Sequence, residues 1–173
     1  SYGPKNFNLT YDGLVPANTL YSWSAPSVTG GMTGGISRTN QVDIYGQLRN
    51  PQNTQQTATY TVTPLTGVCT GATFTVTITV NALPTPTASN TGPYCPGNTI
   101  QLNVGSFSTY SWSGPSSFTS ITQNATQINS QTTNSGNYVV TVTDANGCTN
   151  TATTNVVVNP TPVVVIGSNS PVC

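Results

Sequence analysis

The sequence predicts an all-β chain folded as two tandem antiparallel β-sandwiches. Three observations carry this prediction: apolar and polar side chains alternate in short runs, turn residues interrupt these runs at short intervals, and one set of motifs occurs twice. In the clearest run, Phe74, Val76, Ile78 and Val80 alternate with threonines, which is typical of a strand buried on one face. No segment sustains a helical period, so we expect no long helix.

The repeated motifs divide the chain into modules. The hexapeptide Tyr21–Pro26 (YSWSAP) returns 89 residues later as Tyr110–Pro115 (YSWSGP). A Val-Asn pair lies at the end of each module and is followed, in the next module, by two prolines and a cysteine. The second copy of this pattern is offset by 78 residues. Repetition at a fixed period indicates a tandem array. We predict one sandwich over residues 1–82, truncated at its N-terminus, a second over 83–160, and a linker with the start of a third repeat over 161–173.

The strands follow from the alternation, in chain order. Their apolar positions are Phe7, Leu9 and Tyr11; Tyr21 and Trp23; Val42, Ile44 and Leu48; Tyr60 and Val62; Phe74 to Val80; Ile100, Leu102 and Val104; Tyr110 and Trp112; Tyr138, Val140 and Val142; and Thr154 to Val158. Turn signals such as Gly34-Gly35 and Asn146-Gly147 separate them, and the Asn-Gly pair suits the positive φ angles of a tight hairpin.

The aromatic residues specify the kind of sandwich. Trp112 lies where the third strand of an immunoglobulin-like sandwich places its core tryptophan, and Tyr138 lies where a tyrosine corner begins the penultimate strand. Trp23 and Tyr60 hold the corresponding places in the first module. We therefore expect Trp23, Tyr60, Trp112 and Tyr138 to be core aromatics of two immunoglobulin-like domains, since their alternation with polar residues turns them inward.

The four cysteines are expected to form one disulfide per module. Within the second module, Cys95 stands near the beginning and Cys148 just after the last hairpin turn, so we predict that these two pair. Closing so long a loop would stabilise the module by roughly 4 kcal/mol. By repeat register, Cys69 and Cys173 would pair with residues of neighbouring repeats outside this sequence. Disulfides of this kind indicate an oxidising, extracellular setting.

Composition excludes several functions. The chain has 3 Lys+Arg, 3 Asp+Glu and no His, and its acids are scattered singly. We expect no enzyme, since general acid–base catalysis needs titratable groups close together. Neither a metal site nor another cofactor is expected, because clustered ligands are missing. Three cations make no basic stripe, so we expect no nucleic-acid binding. No apolar run approaches a membrane span, and the first residues do not resemble a signal peptide.

Longer motifs resemble a known family. Residues 15–26, the run Gly30–Gly35 (GGMTGG) and Ala58–Pro64 (ATYTVTP) resemble the PKD-like repeats of giant Bacteroidetes surface adhesins. In the second module, Cys95-Pro96-Gly97 and residues 135–149 resemble the Ig-like repeats that alternate with them. The resemblance implies a long cell-surface protein exported by type IX secretion, of which adhesins of the SprB gliding-motility type are best known. It also implies attachment to the outer membrane through regions outside this segment.

The function we expect is that of a structural stalk or spacer, whose partners are the adjacent repeats of the same chain. A carbohydrate- or surface-binding module is the alternative. Tyr45, Tyr94 and Phe118, next to turns, are then the candidates for exposed contacts, and a polysaccharide target is expected through other parts of the protein. Threonine rows at 59, 61 and 63 and at 75, 77 and 79 offer a hydroxyl array. Neutral edge strands also suggest lateral self-association into filaments.

Overall fold

A computed structural model describes residues 5–9, 16, 18–165 and 167, the first five by their backbone alone. The chain divides into two compact units, Ser1–Leu83 and Pro84–Cys173, so the division falls one residue after the boundary expected from the repeat. The third repeat predicted for 161–173 lies mostly outside the described residues, and its described part, 161–165 and 167, holds no strand.

Unit 1 consists of two antiparallel sheets. Its strands are β1 (Lys5–Leu9), β2 (Thr19–Trp23), β3 (Ser27–Val28), β4 (Thr33–Gly34), β5 (Arg38–Gln41), β6 (Ile44–Arg49), β7 (Gln56–Thr66), β8 (Cys69–Thr70) and β9 (Phe74–Val80). One sheet has the order β1-β6-β4. The other is centred on β7, which pairs with β2, β3, β8 and β9, while β5 pairs with β2.

Unit 2 also consists of two antiparallel sheets. Its strands are β10 (Ala88–Asn90), β11 (Ile100–Val104), β12 (Thr109–Gly114), β13 (Phe118–Ser120), β14 (Ala125–Gln127), β15 (Gly136–Thr143) and β16 (Thr149–Val156), with one 3-10 turn, Thr132–Asn134. The sheets have the orders β10-β11-β14 and β13-β12-β15-β16. Both units are antiparallel β-sandwiches, which confirms the predicted fold class.

Each unit buries the inward side chains of its alternating strands. Along β15, residues Tyr138, Val140 and Val142 are fully buried, whereas the intervening positions face outward. The core of unit 1 comprises Tyr21, Trp23, Met32, Ile44, Leu48, Ala58, Tyr60 and Val62. The core of unit 2 comprises Tyr94, Ile100, Leu102, Val104, Trp112, Ala125, Tyr138, Val140, Val142, Val156 and Val158. Period-two patterning therefore separates core from surface in both units.

One predicted strand differs in the structure. The run through Val42, Ile44 and Leu48 was expected to be continuous, but the chain bends between β5 and β6, and Val42 is 72% exposed. Ile44 and Leu48 do reach the core. The bend lets β5 pair with β2 in one sheet while β6 pairs with β1 and β4 in the other. The prediction for Val42 is therefore wrong, because the chain changes sheets there.

Candidate functional site

The core aromatics of unit 2 form a hydrogen-bonded centre. Trp112 is 1% exposed, and its Nε1 donates to the carbonyl of Thr122 at 3.0 Å. The Tyr138 hydroxyl, fully buried, donates to the carbonyl of Asn134 at 3.1 Å and lies 2.6 Å from Oε1 of Gln127. A bond from this hydroxyl to the backbone four residues upstream is the tyrosine corner that the sequence predicts.

Unit 1 holds a matching pair. Trp23 is 4% exposed, and its Nε1 donates to the carbonyl of Ile36 at 3.1 Å. Tyr60 is fully buried on β7, the strand that corresponds to β15. Trp23, Tyr60, Trp112 and Tyr138 therefore all lie in the core, so their role is packing and not ligand contact.

The two buried tyrosine hydroxyls make the free energy of unfolding depend on pH in the alkaline range. Burial raises the pKa of Tyr60 and Tyr138 above their ordinary value, and the electrostatic interaction with Tyr94 adds to the rise at Tyr138. In the unfolded chain both ionise near pH 10. The stabilisation is therefore complete below pH 10 and is lost as the pH rises through the folded-state values.

We expect chemical denaturation curves to shift to lower denaturant concentration above pH 10, and we expect Tyr138→Phe to reduce that shift in unit 2. An unchanged midpoint above pH 10 would contradict this.

The residues predicted to make exposed contacts are not exposed. Tyr94 is 5% exposed, and Phe118 packs edge-on against Tyr138 with 5.3 Å between ring centroids. Tyr45 is half-buried beneath the guanidinium of Arg38, whose central carbon lies 4.6 Å from the ring centroid. The prediction of exposed contacts is therefore wrong for Tyr94, and the rings of Phe118 and Tyr45 pack mainly against residues of their own unit.

Tyr94 instead closes unit 2. Its backbone forms a parallel bridge with Val158, in which its N–H donates to the carbonyl of Val157 and its carbonyl accepts from Asn159, both at 2.9 Å. Its hydroxyl accepts from the backbone N–H of Gln101 and of Thr91, at 3.1 and 3.0 Å. The first segment of the unit is thus tied to its last strand.

The predicted disulfide between Cys95 and Cys148 is not formed, and both residues are free cysteines. Cys95 follows Tyr94, which bridges Val158 at the end of the last strand. Cys148 precedes the first residue of β16, and about ten strand residues separate these ends, or roughly 30 Å. A disulfide requires Cα atoms about 4.4 to 6.8 Å apart. The pairing prediction is therefore wrong, because the two thiols lie at opposite ends of the sandwich.

This placement predicts that Cys148→Ser leaves the stability of unit 2 nearly unchanged. The Cys148 backbone N–H donates to Oδ1 of Asp144 at 2.9 Å, a bond that serine keeps. We expect a change of less than about 0.5 kcal/mol, the range for surface substitutions, in thermal melting under oxidising conditions. Cys95→Ser serves as the matched variant. If the melting temperature of both variants fell by several degrees, the disulfide between Cys95 and Cys148 would be supported after all.

Cys69 is free and exposed at the start of β8, and its pairing with a neighbouring repeat stays a prediction. Cys173 lies outside the described residues. Within the described part of the chain, no three potential metal-ligating side chains cluster.

The threonine rows lie on the outer face of unit 1. Residues of β7 stand opposite residues of β9 as the pairs Thr61 with Thr75, Thr59 with Thr77, and Thr57 with Thr79. The hydroxyls of the middle pair are 3.2 Å apart. The face is a regular array of uncharged hydroxyl groups, but the row on β7 that faces β9 is Thr57, Thr59 and Thr61, because Thr63 stands opposite Ser22 of β2.

Two sandwiches with buried tryptophans and one tyrosine corner have the fold of Ig-like and PKD-like domains. Residues 6–84 match the PKD-like domain family. PKD-like domains are usually non-catalytic, structural or binding domains, and they are typically extracellular. Among curated proteins, no significant match to the chain is found.

The chain has low similarity to several solved structures, three of which follow. The N-terminal four Ig domains of Dscam1 isoform 6.9 share 11% identity (TM-score 0.35, 89% of this chain, 41% of that chain). The amphioxus IgVJ-C2 molecule shares 14% (TM-score 0.34, 87% and 95%). The Ig1-2 module of the Drosophila receptor protein tyrosine phosphatase DLAR shares 15% (TM-score 0.33, 91% and 91%). This chain spans about two fifths of the Dscam1 fragment.

No helix in the described part of the chain has the length and apolar character needed to cross a membrane.

Proposed function

We propose that this chain is a load-bearing spacer in the stalk of a long, repetitive cell-surface adhesin. The observation that supports it most is where the chain enters and leaves unit 2. Nδ2 of Asn150, at the start of β16, donates to the carbonyl of Pro84 at 2.9 Å, so the chain enters beside that end. It leaves beyond Val158, at the opposite end of the same strand. Units that begin and end at opposite poles suit connection in series.

The bonds between the first and last segments of unit 2 resist such a load. Nδ2 of Asn90 donates to Oγ1 of Thr154 and to the carbonyl of Asn155, both at 2.8 Å. The parallel bridge of Tyr94 with Val158 adds two backbone bonds. A pull on the two ends draws these segments in opposite directions along their length. The bonds are then loaded together and not one after another, which favours resistance to unfolding.

The exposed surface also favours a spacer over a binding module. The described aromatic rings lie buried or half-buried, apart from Phe74 at 37% exposure. The outer face of unit 1 presents uncharged hydroxyl groups. Since only six side chains in the whole chain are charged, such a rod would respond little to salt. In this proposal, export by type IX secretion, outer-membrane attachment, gliding and a polysaccharide target belong to the whole adhesin.

Single-molecule force spectroscopy of the full chain tests the proposal. We expect two unfolding events, each lengthening the chain by about 3.5 Å per residue released. Asn159→Pro removes the N–H that bonds to Tyr94 and should lower the force of one event, while the other event, from unit 1, serves as the internal control. Unfolding of both units at forces too low to resolve would overturn the load-bearing role. Specific binding of a glycan by this chain would favour the carbohydrate-binding alternative.

A further inference from the structure

We infer that Asn146 is a site of spontaneous covalent modification, at which its side-chain amide cyclises with the backbone of Gly147 and then opens to aspartate or isoaspartate. The inference concerns the loop of residues 144–148 between β15 and β16 and does not depend on the stalk role. It rests on three features: the residue that follows Asn146, the exposure of the loop, and the way in which other asparagines are held.

The reaction needs only these two residues and one water molecule. The backbone nitrogen of Gly147 attacks Cγ of Asn146, the bond from Cγ to the side-chain nitrogen breaks, and ammonia leaves with the proton of the attacking nitrogen. Water then opens the cyclic imide. Opening at the side-chain carbonyl gives aspartate, whereas opening at the backbone carbonyl gives isoaspartate, in which the chain continues through the side-chain carbon.

The glycine after Asn146 leaves room for ring closure. Asn146 is the one asparagine of the sequence that is followed by glycine. A Cβ built at Gly147 meets nothing within 4 Å, so the space beside its Cα is open. Glycine carries no side chain next to the attacking nitrogen and has the widest choice of backbone angles. Both properties ease the approach of this nitrogen to Cγ.

The loop leaves Asn146 exposed and its amide unrestrained. Residues 145–147 are exposed, and no described residue forms a hydrogen bond with the side chain of Asn146. The attacking nitrogen is held by one bond, from the N–H of Gly147 to the carbonyl of Asp144 at 3.1 Å. Bonds at an exposed loop tip open locally at a low free energy. The nitrogen therefore becomes available while the rest of the unit stays folded.

Two asparagines that precede other small residues lack this freedom. Asn134 is 5% exposed, and its Oδ1 accepts from the backbone N–H of Gln131 at 2.6 Å. Asn124 is exposed, but the next residue, Ala125, is 1% exposed and begins β14, so the nitrogen that would attack belongs to a packed strand. Of these three asparagines, Asn146 alone combines exposure, a free amide and a following glycine.

Both products alter the bonds that close the loop. Oδ1 of Asp144 accepts from the backbone N–H groups of residues 146 and 148 at 2.8 and 2.9 Å, and the N–H of Asp144 donates to the carbonyl of Cys148 at 2.9 Å. Aspartate at position 146 adds a negative charge two residues from Asp144, and like charges repel. Isoaspartate lengthens the backbone inside this set of bonds, so they cannot all keep their geometry.

The test is ageing of the folded full chain at mildly alkaline pH, followed by peptide mapping with mass spectrometry. We expect the peptide with Asn146 to gain the mass difference between a hydroxyl and an amino group, as a mixture of aspartate and isoaspartate. Conversion should be at least about tenfold faster than at Asn134, which corresponds to about 1.4 kcal/mol in the barrier. The rate should rise with pH, because the attacking nitrogen must lose its proton. Circular dichroism establishes that the chain stays folded.

Matched variants separate the steps. Asn146→Gln keeps an amide but requires a larger ring, so this position should stay unmodified. Gly147→Ala places a methyl group beside the attacking nitrogen and should slow the conversion, although the left-handed backbone at φ +76° makes this variant less stable. Asn146→Asp, measured when freshly prepared, has the added charge without the longer backbone. The aged wild type should melt below both the fresh wild type and fresh Asn146→Asp.

Several results would overturn the inference. These are conversion at Asn146 no faster than at Asn134, a rate that Gly147→Ala leaves unchanged, and modification of Asn146→Gln as fast as that of the wild type. An aged wild type that is converted at Asn146 but melts like the fresh protein would overturn the expected effect on the loop.

Discussion

Replacing Trp112 by alanine is expected to destabilise unit 2 by about 3 to 5 kcal/mol, the usual cost of truncating a fully buried tryptophan. The side chain is 1% exposed and belongs to the core of unit 2, on strand β12, which pairs with β13 and β15. Its removal leaves a cavity and deprives the carbonyl of Thr122 of its donor. Since a small domain is stable by only about 5 to 15 kcal/mol, the substitution should remove a large share of the stability of unit 2.

Fluorescence separates the two units in this experiment. Trp23 is the one tryptophan left in the variant, and it lies in unit 1. Its denaturation curve should match that of unit 1 in the wild type, while circular dichroism shows the loss of strand from unit 2. Thr153→Ser, on the outer face, is the control. A variant whose unit 2 melts within a few degrees of the wild type would show that Trp112 is not central to the core.

Replacing Gly34 by alanine is expected to destabilise unit 1 by about 3 kcal/mol or more, through overpacking added to backbone strain. Gly34 has φ +91°, and a Cβ there would overlap the backbone carbonyl oxygen of Gln47 on the paired strand. That oxygen accepts from the N–H of Gly35 at 2.9 Å, so moving it breaks a second contact. The backbone of a paired strand cannot move aside without a large energetic cost, whereas the end of a flexible side chain can.

The control variant Gly67→Ala introduces backbone strain without a steric clash, so it separates the two effects expected at Gly34. Gly67 also has positive φ, +61°, but a Cβ there meets nothing within 4 Å. We expect a cost of about 1 kcal/mol, from the left-handed conformation alone. Urea denaturation followed by Trp23 fluorescence measures both variants in the same unit. Equal effects would mean that the β4–β6 contact tolerates an added methyl group.

The sequence predicted most of the strands and the core aromatics because both depend on local pattern. Strict alternation along β9 and β15 shows which side chains turn inward, and a repeated Tyr-Ser-Trp-Ser motif places Trp23 and Trp112 on equivalent strands. The tyrosine corner at Tyr138 is likewise a contact across four residues. Short strands such as β10 and β13 were not predicted, since three residues are too few to show a period.

The errors concern contacts between distant parts of the chain. Tyr94 follows a turn, which suggested exposure, but it is buried by pairing with Val158. The repeat gives the place of Cys95 and Cys148 along the chain, yet it does not give the direction in which the intervening strands run. That direction puts the two thiols at opposite ends of the unit.

The bonds that close unit 2 also set when it folds. Asn90 bonds to residues 64 and 65 positions later, and Asn150 bonds to Pro84 across 66 positions. Contacts so far apart form late and slow the folding of β-sandwiches. A chain that is synthesised from its N-terminus cannot make all of these bonds until Asn155 is available. We therefore expect unit 2 to complete its folding only after its last strand, β16, has been synthesised.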